Sequence, residues 1–330
     1  MIPRTADWKN ALANAVRDPA ELLALLELPP SLLTAAREAA VDFPLRVPRG
    51  YLSRIKKNDL TDPLLRQVLP LTEELQTVEG FGHDPVGDLQ ATAAPGVLHK
   101  YHGRVLLTAT GACAIHCRYC FRRHFPYGEE NPGRNNWQAG IDYLLNHPEV
   151  DELILSGGDP LMLDTPQLAK LAQQLTTVPH LKRLRLHTRL PVVLPERIDG
   201  RLLEWFHSLP WQTVMVIHAN HANEFDASVA TALSRLQRTG MILLNQSVLL
   251  RGVNDDEESL TQLSETLFDH GVIPYYLHLL DRVAGAAHFD VEERHARNLL
   301  QGLRTRLPGY LIPRMVREIE GQPNKQPVPE

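Results

Sequence analysis

The sequence predicts an α/β fold, a partial barrel of six βα units left open. Three observations predict it. Six short β-rich runs recur after residue 104: RVLLTAT, ELILSG, LKRLRLHT, TVMVIHA, MILLNQSVLL and VIPYYLHLL. Amphipathic stretches of helical period separate them, which is the pattern of parallel strands joined by helical crossovers. Six units are too few for a closed eight-fold barrel, and the active site of such an open barrel is expected at the C-terminal strand ends.

The elements follow in chain order. Residues 1–95 read as a helical extension, because AELLALLEL and SLLTAAREAAV have helical apolar spacing and prolines punctuate the rest. Gly80, Gly82, Pro85 and Gly87 mark a loop that ends this region. Residues 96–290 hold the barrel, with helices expected in WQAGIDYLLNH, TPQLAKLAQQL, PERIDGRLLEWFHSL, EFDASVATALSRLQRTG and DEESLTQLSETLFDHG. Residues 291–330 hold a last helix, VEERHARNLLQGLRTRL, a last strand-like run, LIPRMVREIE, and a Pro-rich tail, GQPNKQPVPE.

Composition narrows the function. The chain has 330 residues, 43% of them hydrophobic, ample for a buried core. A net charge of −5 and a pI near 6.3 supply no basic field for nucleic acid. No apolar run approaches the roughly 20 residues that span a bilayer. The N-terminal MIPRTADWKN lacks the apolar stretch of a signal peptide, so a cytoplasmic protein without a membrane partner is expected.

All three cysteines fall in CAIHCRYC, as Cys113, Cys117 and Cys120. An odd number so tightly clustered is no disulfide framework. The loop leaves the end of the first barrel strand. Thiolates suit iron–sulfur clusters and zinc. Three of them on a [4Fe–4S] cube leave one iron open to an outside ligand; zinc asks for a fourth protein ligand, for which His102, His116 or His124 could serve. A second motif, Ser156-Gly157-Gly158-Asp159, ends the second strand. Its glycines would let a small ligand approach the backbone, and its carbonyls and Asp159 could receive an ammonium. Alone it would read as an ordinary βα turn.

CAIHCRYC, with an aromatic residue before its last cysteine (Tyr119), resembles the radical S-adenosylmethionine superfamily. The resemblance implies that the three cysteines hold a [4Fe–4S] cluster whose open iron binds adenosylmethionine. It assigns adenosylmethionine contacts to Tyr119, to Ser156, Gly157, Gly158 and Asp159, and, in HTRLPVVLP and IHANHANE, to His187, Arg189, His218 and Asn220.

A narrower resemblance rests on KYHGRVLLTATGACAIHCRYCFRRH, SGGDPL, HTRLPVVLP, NQSVLLRGVND and GQPNKQP. Together these are similar to lysine 2,3-aminomutases, from about residue 40 onward. LRVPRGYL, DPLLRQVLP and CFRRHFPY look most like the bacterial branch that supplies β-lysine for modification of elongation factor P. The resemblance implies the radical-enzyme type of open barrel and an isomerase that converts L-lysine to β-lysine. Its partners would be lysine, the ligase acting on elongation factor P, and an electron donor such as flavodoxin.

The resemblance also implies bound pyridoxal 5′-phosphate, held by Lys325. Local rules alone would leave a lysine in that Pro-rich tail solvated and mobile. The tail must therefore fold back to close the barrel mouth. Arg104 matches a phosphate-binding arginine, Lys100 and Tyr101 are near it, and Gln246 matches a cofactor contact. Arg122 matches the arginine for the substrate carboxylate, and Asp281 an acid for the side-chain ammonium. The second acid falls on Glu318, where the longer enzymes carry aspartate. Those enzymes also have a further cysteine at a zinc-linked subunit contact, which is missing here. An aminomutase for another amino acid, such as glutamate, is the nearest alternative; a second carboxylate would be repelled by Asp281 and Glu318. A non-catalytic zinc-binding module is the alternative from another class.

Overall fold

Aspartates start the helices of this barrel. Asp164, Asp199, Asp226 and Asp256 each accept a hydrogen bond from a backbone N–H of the helix that follows. Those N–H groups have no partner inside the first turn. The structure is a computed structural model that describes residues 7–128 and 137–329.

The strands are β1 (Thr92–Ala94), β2 (Val97–Tyr101), β3 (Arg104–Thr110), β4 (Glu152–Gly157), β5 (Arg183–Thr188), β6 (Gln212–His218), β7 (Ile242–Val248), β8 (Ile273–His278), β9 (Arg314–Arg317) and β10 (Gln326–Pro327). Five helices precede them: α1 (Trp8–Ala13), α2 (Pro19–Leu25), α3 (Leu33–Asp42), α4 (Arg49–Leu52) and α5 (Pro63–Arg66). The others are α6 (Gln138–Leu145), α7 (Thr165–Leu175), α8 (Leu190–Val193), α9 (Gly200–Ser208), α10 (Ala227–Gln237), α11 (Glu257–Asp269) and α12 (Glu293–Arg306).

All strands join one sheet in sequential order. From β3 to β9 every neighbouring pair is parallel. The β1–β2 hairpin and β10 are antiparallel additions at the two edges. The edges do not pair with each other, so the sheet stays open. The six βα units run from β3–α6 to β8–α12, and LIPRMVREIE adds a parallel strand, β9, beyond them. The expected boundary at residue 95 falls inside the β1–β2 hairpin.

Strand alternation decides what the barrel contains. In β5, Leu184, Leu186 and Thr188 are buried, while Arg183, Arg185 and His187 alternate with them. Arg185 and His187 line the interior cavity, as do Gln246 of β7 and Tyr276 and His278 of β8. The apolar faces pack outward against the helices; an interior of arginine, histidine and glutamine is built to hold something polar. The N-terminal helices share this core, with Trp8, Val16, Leu22 and Tyr51 in one apolar cluster with Leu107, Leu155 and Leu186. Among the described residues no helix is long and apolar enough to cross a membrane.

Candidate active site

The interior opens into a cavity of about 620 Å³, within the usual range for small-molecule and cofactor sites. The three cysteines, Tyr119, Arg122 and Ser156 to Asp159 line it. So do His187, Arg189, His218, Tyr101, Arg104 and Gln246, and, from the last part of the chain, Asp281, Glu318 and Lys325. The tail therefore folds back, as expected. It is fastened by the β9–β10 pairing and by buried Val328.

The cysteine loop is tied to the N-terminal extension by a buried cation that sequence reasoning missed. The Arg118 guanidinium donates to both Glu74 oxygens, at 2.8 and 2.5 Å, and to the carbonyls of Phe43 at 2.7 Å and Ala39 at 3.2 Å. Arg123 reaches the same Glu74 carboxylate at 2.8 Å. Main-chain bonds from His116 N to Arg46 O (3.0 Å) and from Arg118 N to Gln67 O (2.9 Å) complete the attachment.

The two glycines at the end of β4 serve this loop. Gly157 has a φ of +112°, and a Cβ there would lie 2.5 Å from Thr110 O. A Cβ on Gly158 would lie 2.4 Å from Ala112 O. Both are needed so that the strand end can lie against the start of the cysteine loop. Asp159 is likewise occupied by the chain. Its oxygens accept from Thr188 Oγ1 and Arg189 N, both at 2.7 Å, and from Leu161 N at 3.0 Å. Burial nonetheless raises its carboxyl to about 6.

Two expected adenosylmethionine contacts stand differently. Asn220 does not line the cavity and is fully buried. It donates to Gln67 Oε1 at 3.1 Å and accepts from Val248 N at 2.9 Å, tying the ends of β6 and β7 together. It is a brace, because both ends of its amide are spent on the chain. Arg189 does line the cavity, but its guanidinium donates to Cys117 Sγ at 2.6 Å, Gln67 Oε1 at 2.7 Å and Glu224 Oε2 at 2.8 Å. Burial would raise the Glu224 carboxyl; Arg189 outweighs it and holds that carboxyl low. His218 is pushed down to about 3 by burial and then by Arg189, so it stays neutral, 3.0 Å from the Tyr119 hydroxyl.

The far side of the cavity carries a chain of alternating charges. Arg122 Nε donates to Asp88 Oδ2 at 2.6 Å. Asp88 Oδ1 is 2.5 Å from Lys100 Nζ, which is 2.9 Å from Glu318 Oε1. Glu318 Oε2 in turn accepts from Lys325 Nζ at 2.5 Å. Burial would raise the Glu318 carboxyl, but the ammoniums of Lys325 and Lys100 hold it well below the usual range. Asp281 is different. Among the described residues it has no ion pair or side-chain hydrogen bond, and burial, then the charge of Glu318, raises its carboxyl to about 7. Asp88 had no signal beyond lying in the Gly-rich loop read as a boundary.

The residues present fit the groups that the sequence suggested. Burial, then the charge of Cys117, pushes the Cys120 thiol up to about 11. Thiols in such a place give up their protons on binding a metal. In a cubane each thiolate takes its own iron, so the three need not converge on one ion; among the described residues no three His, Cys, Asp or Glu are grouped to hold a single one. Of the histidines considered as a fourth zinc ligand, His116 turns Nδ1 to Pro44 O at 2.7 Å and His124 turns Nε2 to Ala284 O at 3.1 Å. For a phosphate there is Arg104. It stacks over Tyr101 with its guanidinium carbon 4.8 Å from the ring centroid and forms no ion pair recorded among the described residues. Among the described residues, the Nε2 atoms of His187 and His278 are buried beside the same cavity without a hydrogen-bond partner, which suits a site for a polar group.

Known proteins are similar to this chain in sequence. A family profile described as a 4Fe-4S single cluster domain matches residues 102–187, which include all three cysteines. An L-lysine 2,3-aminomutase of Escherichia coli K12 is 50% identical over 99% of this chain and 95% of its own. One of Haemophilus influenzae is 47% identical over 98% of this chain and 96% of its own. One of Clostridium subterminale is 32% identical, over 98% of this chain and 77% of its own.

Proposed function

The chain belongs to the lysine 2,3-aminomutase family, and from that premise we propose that it converts L-lysine to β-lysine by exchanging the α-amino group with a hydrogen on Cβ. The observation that carries the reading is that one cavity brings together three thiols, Lys325 and a half-buried Asp281 that has no ion pair among the described residues. Bound there, a [4Fe–4S] cluster with adenosylmethionine supplies a hydrogen-abstracting radical, and pyridoxal phosphate supplies an aldehyde to carry the amino group.

The protein's own groups do the binding and orienting. Cys113, Cys117 and Cys120 hold the cluster, with Arg189 fixing Cys117 from behind. Lys325 is the amine for pyridoxal, and Arg104 meets its phosphate with a fork that suits a dianion. Arg122, held by Asp88, takes the substrate carboxylate. Asp281 takes the ε-ammonium, and ionises as that cation arrives. Glu318 already holds two ammoniums of the chain, so it frames the pocket and leaves Asp281 as the principal acid for the substrate. Glutamate lacks a cation for Asp281, which disfavours that alternative.

Anaerobically reconstituted protein, given adenosylmethionine, pyridoxal phosphate and a reductant, should bind about four irons and four sulfides per chain and form β-lysine from lysine. Stoichiometric zinc without iron, or turnover of glutamate but not lysine, would overturn the reading. The 50% identity to the Escherichia coli relative, against 32% to the clostridial one, supports the bacterial branch named for elongation factor P. On that reading the chain works in the cytoplasm, a flavodoxin-type donor reduces the cluster, and the β-lysine passes to the ligase that modifies elongation factor P. Deleting the gene should then remove the β-lysyl mass from that factor; an unchanged mass would refute the link.

A further inference from the structure

The chain Arg122–Asp88–Lys100–Glu318–Lys325 has a member whose chemistry the family reading does not use. Asp88 comes from the loop before β1. Its side chain is buried (3% exposed), and among the described residues it is the one carboxylate that touches both Arg122 and Lys100. Burial would raise its carboxyl, yet Arg122 and Lys100 keep it below its ordinary value, so it is an anion. Its own backbone N–H is held by Asp84 Oδ1 at 2.8 Å, which fixes the loop that carries it.

We propose that Asp88 is a positioning and specificity-determining residue: it aims Arg122 at the substrate carboxylate and cancels a positive charge that would otherwise admit dicarboxylic amino acids. The aiming follows from geometry. Asp88 takes the Nε edge of Arg122 at 2.6 Å, and Ser156 Oγ accepts from Nη1 at 3.3 Å. The guanidinium plane is thereby set. The selectivity follows from charge. Asp88 is the anion set between Arg122 and Lys100, so it neutralises locally the cationic end of the pocket that is to take one carboxylate, while the carboxyl of Asp281 lines the same cavity and suits an ammonium. Glutamate brings a second negative charge. Removing the charge of Asp88 would make this end of the pocket more positive by one charge, and Arg122 and Lys100 would face each other without an anion between them. A carboxylate of the ligand could then take its place.

The inference rests on the lysine reading, so wild-type lysine turnover is measured first; if it is absent, that reading fails and not this one. Asp88→Asn and Asp88→Glu are then compared with wild type for KM and kcat with lysine, and for the inhibition constant of glutamate. Iron content and the pyridoxal absorbance are recorded as checks on the fold. Asp88→Asn should raise the KM for lysine by at least about tenfold and tighten glutamate inhibition by about tenfold, as expected for loss of a partner in a desolvated charged contact. Asp88→Glu should keep glutamate out as wild type does, with a lysine KM between the two. A purely structural role would lower activity without improving glutamate binding. Unchanged glutamate inhibition in Asp88→Asn overturns the proposal. If Asp88→Asn loses its irons, Asp88→Glu decides alone: glutamate exclusion with a raised lysine KM supports the proposal, and either a wild-type KM or tighter glutamate binding refutes it.

Discussion

Lys100, near the end of β2, and Glu318, just past β9, are ion-paired at 2.9 Å although their strands are not neighbours in the sheet. This side-chain bridge adds to the main-chain bonds from Gly82 N to Arg282 O (3.0 Å) and from Ala284 N to Gly82 O (2.8 Å) in linking the two sides of the open barrel. Glu318→Gln should therefore act on both sides of the gap at once, leaving Lys100 and Lys325 without their shared anion. We expect a loss of about 1–3 kcal/mol in denaturant unfolding, below the range for fully buried pairs because both lysines keep some solvent. Proteolysis should also begin in the tail. Wild-type stability and tail protection would show that the bridge is incidental.

Asp281 should impose a pH dependence on substrate affinity. Its carboxyl is raised to about 7, first by burial and then by Glu318. Lysine needs the ionised form, so affinity for lysine should rise with pH through about 7. Stability of the ligand-free chain should move the other way. Between the unfolded carboxyl's value of about 4 and 7, the folded state holds a proton that the unfolded state releases, so this group's contribution falls as pH rises. Asp281→Asn should remove both slopes and weaken lysine by about 2–5 kcal/mol. Persistence of the pH-dependent affinity in that variant would assign it to another group.

Lys325→Ala should leave the fold and the iron–sulfur spectrum intact while removing the pyridoxal absorbance and β-lysine formation. Cutting the chain after Gly321 is a harsher change, since it also removes β10 and buried Val328. It should lower the melting temperature as well. Borohydride reduction followed by peptide mapping should place the pyridoxyl label on Lys325; label on Lys100 would mean that the cofactor is held by the other lysine of this charge chain.

Gly158→Ala should disturb the cluster before it disturbs the barrel. The added methyl would meet two backbone carbonyl groups of the cysteine loop, at 2.4 and 2.7 Å, and backbone cannot step aside as a flexible side chain can. We expect reduced iron content with near wild-type circular dichroism. Full iron incorporation would show that the loop yields more easily than its contacts imply.

Glu74→Gln should be among the costliest single changes. Glu74 is the common anion for Arg118 and Arg123, all three nearly without solvent. Leaving two buried guanidiniums with a neutral partner should cost about 3–5 kcal/mol and loosen the loop that carries the cysteines. Denaturant unfolding and iron retention measure the two effects separately.

The sequence by itself determined the elements and their order. The six strand runs, the helices between them and the loop around CAIHCRYC were legible because periodicity and cysteine spacing act over a few residues. Resemblance then picked out many of the polar residues that line the cavity, Lys325 included. Local rules would have left that lysine in a mobile tail, and the β9–β10 pairing is what holds it. Only the tertiary structure decided how the charges pair. Arg189 and Glu224 are 35 residues apart, Arg118 and Glu74 are 44 apart, and Lys100 and Glu318 are 218 apart. Nothing at either end of such a pair marks its partner. The same holds for Asn220, read as a ligand contact and found bracing two strands, and for Asp88, read as loop. A charged or amide side chain acquires its role from whatever the fold places within about 3 Å of it, and that distance is set by the packing of distant strands.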